Sequence, residues 1–172
     1  MKKTIILFAA IMMLAGFSVN LMAQSGSTKS NNANAEIKTA ITLTAVNPLE
    51  FGKMAVTGTA GTVLLSTAGS PTATNVQLLS GTTRTAASYT STGQASATYA
   101  ITIPVAPITI THLPGGAGNT MTVDSWVCSK GATSAFDGSG ADAFTVGATL
   151  NVGATQNAGQ YTGTFNVTID YN

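Results

Sequence analysis

The sequence predicts an all-β protein folded as an antiparallel β-sandwich, and three observations carry that expectation. Composition is the first: of 172 residues only 8% are charged, with 7 Lys or Arg and 6 Asp or Glu, while there are 29 Thr and 18 Gly. Lys and Glu normally furnish exposed helix faces, whereas Thr suits a pleated, half-buried surface. The second is a succession of short alternating runs set apart by Gly, Pro, Asn and Asp, with no mature stretch that combines a 3.6-residue period with helix caps. The third is the end of the chain, where apolar and polar residues alternate without error from Tyr161 to Tyr171.

The first element is a leader. Lys2 and Lys3 precede an apolar run from Ile5 to Phe17, and Ser18-Val19-Asn20-Leu21-Met22-Ala23 follows, which is the layout of a secretory signal peptide over 1–23 with the mature chain starting near Gln24. Thirteen apolar residues fall short of the roughly 20 that cross a bilayer, and no cysteine stands at the leader's end to take a lipid. The mature chain is therefore expected to have no transmembrane segment, and to be soluble or held by other proteins. Without Lys2 and Lys3 it carries five basic residues against six acidic, which argues against nucleic acid or another polyanion as partner. Cys128 is the only cysteine, so an exported chain that could have used disulfides has no internal one, and packing and ladders must stabilise it.

Residues 24–35 are small and polar and form a flexible N-terminal arm; 36–172 form one sandwich domain. Alternation begins at Glu36: Ile37, Thr39, Ile41, Leu43 and Ala45 share one face of a first strand, which Asn47-Pro48 breaks. Leu49 to Val56 is a second extended piece, and Gly58 to Gly61 a turn. Further strands are expected near Val63 to Ser66, Asn75 to Leu79, Ser96 to Ile103, Pro107 to His112, Asn119 to Cys128, Ala143 to Val152 and Gln160 to Tyr171. Gly69-Ser70-Pro71, Pro114-Gly115-Gly116 and Asp137-Gly138-Ser139-Gly140 turn the chain between them.

The last strand puts Tyr161, Gly163, Phe165, Val167, Ile169 and Tyr171 on one face and polar residues on the other. A long apolar strand that ends the chain needs a covered edge, because free N–H and C=O groups template association. A strand of the same domain can cover it, or a strand of another molecule can.

Bacterial pilus subunits of the chaperone-usher class end in such a strand, with a penultimate Tyr and a Gly fourteen places from the end, and Tyr171 and Gly159 stand at those places. The runs Asn47-Pro48-Leu49-Glu50-Phe51-Gly52, Met121-Thr122-Val123, Gly147-Ala148-Thr149-Leu150-Asn151-Val152 and Ala158-Gly159-Gln160-Tyr161-Thr162-Gly163-Thr164-Phe165 make the chain similar to the secreted domain of unknown function 4402. They also make it resemble the spore-coat-protein-U type of archaic pilin. The resemblance implies an immunoglobulin-like sandwich that is incomplete and completed by strand addition. It further implies a periplasmic chaperone and an outer-membrane usher as partners, and copies of the chain itself or related subunits as the source of the added strand. The polar arm with Ile37, Ile41 and Leu43 resembles the donated extension, and Gly159, Tyr161, Phe165, Val167, Ile169 and Tyr171 the acceptor. Two departures stand out: many such pilins carry a cysteine pair that is missing here, and Thr39 interrupts the donor face.

Catalytic chemistry finds little material. One His, one Cys and six carboxylates are scattered through the chain, and no CxxC, HExxH or GxSxG occurs. His112 reads as a strand-end surface residue, and Cys128 as an inert thiol sharing a strand face with Trp126. Asp137-Gly138-Ser139-Gly140-Ala141-Asp142 lacks the middle acidic ligand and the terminal Glu of a calcium loop and reads as a turn. Asn166-Val167-Thr168 fits a glycosylation pattern but falls on a strand expected to be paired. Trp126 and Tyr89 could stack on sugar, although nothing clusters them. The expectation is a non-enzymatic exported protein without cofactor or metal, a structural subunit of a surface filament assembling by β-strand donation. Ile37, Ile41 and Leu43 would be a plug given to a neighbour or folded back. The alternative is a monomeric carbohydrate-binding or adhesive surface module.

Overall fold

A computed structural model describes residues 26–113 and 119–172; the expected leader, the start near Gln24 and the turn Pro114-Gly115-Gly116 lie outside the described residues. The chain divides into two compact units, Met1–Glu36 and Ile37–Asn172. In the first, residues 26–36 carry no strand or helix and are exposed. In the second, every regular element among the described residues is a strand, and every ladder is antiparallel. No helix among the described residues is long and apolar enough to cross a membrane.

Thirteen strands follow one another: β1 (Thr42–Asn47), β2 (Met54–Val56), β3 (Gly61–Leu65), β4 (Pro71–Thr74), β5 (Val76–Leu78), β6 (Ala87–Thr92), β7 (Thr98–Thr102), β8 (Ile108–Leu113), β9 (Thr120–Cys128), β10 (Thr133–Ala135), β11 (Ala141–Val152), β12 (Gln160–Thr162) and β13 (Thr168–Tyr171). They make an all-β, sandwich-like fold. The larger sheet has the order β1-β6-β11-β9-β8-β12, with β3 and β4 branching from β11; the others are β10-β7-β13 and β2-β5.

The spine is β11. Its first half, Ala141 to Val146, pairs with β6, and its second half, Ala148 to Val152, pairs with β3, while β9 lies along the opposite edge. Each half has its own core. Phe144 and Val146 pack with Ala87, Tyr99, Ile101, Phe136 and Ile169, so β7, β10 and β13 face the β6 end of the spine. Ala148, Leu150 and Val152 pack with Val63, Val76, Met121 and Val123, with Met54 of β2 and Leu78 of β5 against them. Trp126 and Leu49 touch both clusters and join them.

Four expectations need correction. The first strand begins at Thr42, where its ladder with β6 starts opposite Thr92, and residues 37–41 are not part of a strand. Of Leu49 to Val56 only Met54–Val56 is a strand, with a bridge from Glu50 to Thr85. Three strands, β4, β6 and β10, fall where none was expected. Gln160 to Tyr171 is two strands: β12 pairs with β8 in the large sheet and β13 with β7 in the small one. The alternation survives the break except at Gly163, which is exposed: Tyr161, Phe165, Val167 and Tyr171 are half-buried, Ile169 is buried, and Thr162, Thr164, Asn166, Thr168 and Asp170 are exposed.

Candidate strand-addition site

Two sheet edges end close together. Among the described residues β1 pairs only with β6, and β13 only with β7, so each has one edge without a strand partner. Ile41, just before β1, and Leu43 within it pack against the same core cluster as Phe165, Val167 and Tyr171, and these side chains are half-buried rather than sealed. Between β12 and β13 the segment Thr164–Val167 keeps an inward apolar and outward polar pattern, yet it belongs to no ladder and makes no backbone hydrogen bond to another described residue. Free ladder groups beside an apolar strip are what an incoming strand can satisfy.

One end of this seam is clamped. The Tyr171 hydroxyl donates to the Thr39 carbonyl at 2.7 Å and accepts from the Gln94 N–H at 2.6 Å. The Thr39 hydroxyl donates to Gln94 Oε1 at 3.1 Å. Gly93 makes room for this: a Cβ there would stand 2.6 Å from the Tyr171 hydroxyl and against the Phe136 ring. The Phe136 and Tyr171 rings meet edge to face at 6.2 Å, and Lys38 Nζ lies 5.8 Å from the Tyr171 ring centroid. Thr39, which interrupts the apolar face in sequence, thus has a polar task. Gln94 went unnoticed in the sequence, where nothing distinguishes it from other loop residues.

The remaining expected residues divide. Ile37 is 96% exposed and touches no core cluster, whereas Ile41 and Leu43 are folded back into their own molecule. Tyr161 packs on the other core, donates to Asn157 O at 2.9 Å, and meets the His112 ring at 5.1 Å. Gly159 stands apart from the seam. Its φ is +152°, and a Cβ on it would run into His112 Nε2, which lies 3.1 Å from Ala158 O. The glycine there is required by the imidazole beside it. His112 is accordingly half-buried against β12 rather than a free surface group.

The family described as Domain of unknown function (DUF4402) matches residues 41–171. The chain belongs to this family. No curated protein and no solved structure matches it. The matched region opens at Ile41 and closes at Tyr171, so in this DUF4402 domain the first and last matched residues pack on one cluster at the two lips of the seam.

Elsewhere in the DUF4402 domain the polar groups serve the fold. Asp142 accepts from Tyr99 at 2.9 Å and Ser134 at 2.5 Å through Oδ2, and pairs through Oδ1 with Lys130 at 3.0 Å and the Ala143 N–H at 2.8 Å. Burial pushes its carboxyl up, but the bonds from Ser134, Lys130 and Tyr99 together outweigh that and hold it below the usual carboxylate range. Burial pushes the Tyr99 phenol up. Asp137 accepts from the Ser139 hydroxyl at 2.6 Å and the Ser139 and Ala141 N–H groups at 2.8 and 2.9 Å, which lowers its pKa and closes the glycine-rich loop as a turn. Cys128 and Trp126 pack on the same cluster, and Trp126 meets Phe165 at 4.6 Å between centroids. Tyr89 stacks on Phe144 at 5.3 Å beside a shallow depression of about 250 Å³. Asn166 is exposed in the segment Thr164–Val167, which pairs with no strand among the described residues.

Proposed function

We propose that the protein is an exported structural subunit of a surface filament that assembles by β-strand donation. One observation carries the reading: Thr164–Val167 has the alternation of a core-facing strand, with Phe165 and Val167 half-buried, and no strand among the described residues pairs with it. A strand laid there would find free backbone groups for register and an apolar strip for affinity. Leu43 of β1 and Tyr171 of β13 pack on the same cluster as this strip, and each of these strands has one edge without a strand partner among the described residues. The leader pattern of residues 1–23 supports export, and the polar arm after it gives a copy reach toward a neighbour. Completion by a neighbour calls for a holding partner before assembly, which is the place of the chaperone and usher that the pilin resemblance implies. The reading asks for no catalytic group, metal or cofactor.

The test is a gel of the natively exported protein, run with and without boiling, beside electron microscopy of the cell surface. Strand-donated polymers survive detergent at room temperature and give a ladder that collapses on boiling, with filaments on the grids. A single monomer band under both conditions and bare cells would overturn the reading in favour of a monomeric adhesive module.

A further inference from the structure

We infer that the Tyr171 hydroxyl is a latch that commits the first strand to its own molecule, so that the segment a second copy receives lies N-terminal to Thr39 and has Ile37 as its plug. This rests on the strand-donation reading and sharpens it. Strand donation by itself is compatible with giving away Ile37, Ile41 and Leu43 together. The geometry separates them. Leu43 lies in β1, which is registered against β6 from Thr42 to Asn47, and Ile41 and Leu43 pack on the core cluster that holds Tyr99, Phe144 and Ile169. Donating them would strip a ladder and unpack the domain that is to receive the next strand.

Ahead of Ile41 the arrangement changes at one point. Thr39 is gripped by the last aromatic side chain and by Gln94, through its carbonyl and its hydroxyl. Immediately before that grip, Ile37 is in phase with Ile41 and Leu43, β-branched and strand-prone, yet 96% exposed. An aliphatic side chain so exposed does nothing for the monomer. Ala33 and Ala35 continue the same alternation toward the arm. Small residues behind one large plug suit a seam whose floor Ile41 and Leu43 already fill. The latch thus sets a boundary: residues after Thr39 act in cis, and residues before it act on a second copy.

Three variants of the full chain, expressed with its leader, test this. Ile37→Asn is expected to keep the wild-type melting temperature and lose the unboiled ladder. Ile41→Asn is expected to lower the monomer's Tm by roughly 5 °C or more, as loss of core packing requires. Tyr171→Phe removes the latch bonds and keeps the ring; it is expected to speed tryptic cleavage after Lys38 roughly fivefold and leave cleavage after Lys29 unchanged. An Ile37→Asn chain that still forms the ladder overturns the plug assignment, and equal cleavage after Lys38 in wild type and Tyr171→Phe overturns the latch. Absence of a ladder from wild type itself overturns strand donation, and with it the trans role of Ile37.

Discussion

The hydroxyl of Tyr171, one residue from the end of the chain, donates to the carbonyl of Thr39 at 2.7 Å, tying together positions 132 apart in sequence. The bond joins the strand that closes the small sheet to the segment that leads into the large one. It therefore ties together one end of the seam between two edges that no strand bridges among the described residues. The seam and the fold around it set further expectations, besides those attached to the two proposals.

The inward face of the last strand is set by Ile169, which is 7% exposed, while Thr168 beside it is exposed. Ile169→Ala is expected to destabilise the domain by about 2–4 kcal/mol, and Thr168→Ala by well under about 1 kcal/mol. Denaturant melts of the two variants check this; similar losses would mean that the strand faces otherwise.

Gly159→Ala is expected to cost about 1–3 kcal/mol through backbone strain at its φ of +152°, and more where the new methyl meets the His112 ring. Adding His112→Ala should recover the steric part of the loss and leave the strain. A double-mutant cycle on melting temperature reads that coupling, and strictly additive losses would show that the imidazole does not explain the glycine.

Asp142 ties β11 to Tyr99 of β7 and Ser134 of β10. Its folded pKa lies below its unfolded value of about 3.9, so its contribution is complete above the unfolded value and is lost as pH falls through the folded one. Asp142→Asn is expected to cost about 1.5–3 kcal/mol at neutral pH and to flatten the acid limb of the stability curve. Unfolding titrations from pH 7 downward check both; parallel acid limbs for the two proteins would contradict the account.

Trp126 lies 4.6 Å from Phe165, and its indole nitrogen is buried without a partner among the described residues. A strand added over Phe165 removes water from this pair. The emission maximum of the lone tryptophan is expected to shift to the blue on assembly and to stay in place for Ile37→Asn held as monomer. An unchanged spectrum in the assembled form would place the added strand away from Phe165.

Much of the fold was legible because apolar residues marked one face. β8, β9 and β11 stood out through Ile108 and Ile110, Met121 and Val123, and Phe144, Val146 and Leu150. β6 did not: its inward residues are Ala87, Tyr89 and Ser91, and Ser91, only 1% exposed, is accommodated by hydrogen bonds to Tyr99 and the Asp142 carbonyl. A buried serine is invisible to hydrophobic periodicity because its partners come from other strands. The terminal pattern was legible as alternation, but a ladder needs a partner, and no pattern within Gly163 to Val167 tells that no strand among the described residues pairs with it. The seam residues were found through their phase. The clamp was not, since Gln94 gains its meaning only from Thr39 and Tyr171, which are distant in sequence.

The most direct test of the open seam is amide hydrogen exchange at Thr164, Phe165, Asn166 and Val167, compared between monomer and assembled protein. In the monomer these amides are expected to exchange within the dead time, beside protected amides in β11. In the assembled form they should slow by at least about a hundredfold, as ladder bonds to an added strand require. Equal exchange at these four residues in both states, or protection already present in the monomer, would contradict the account.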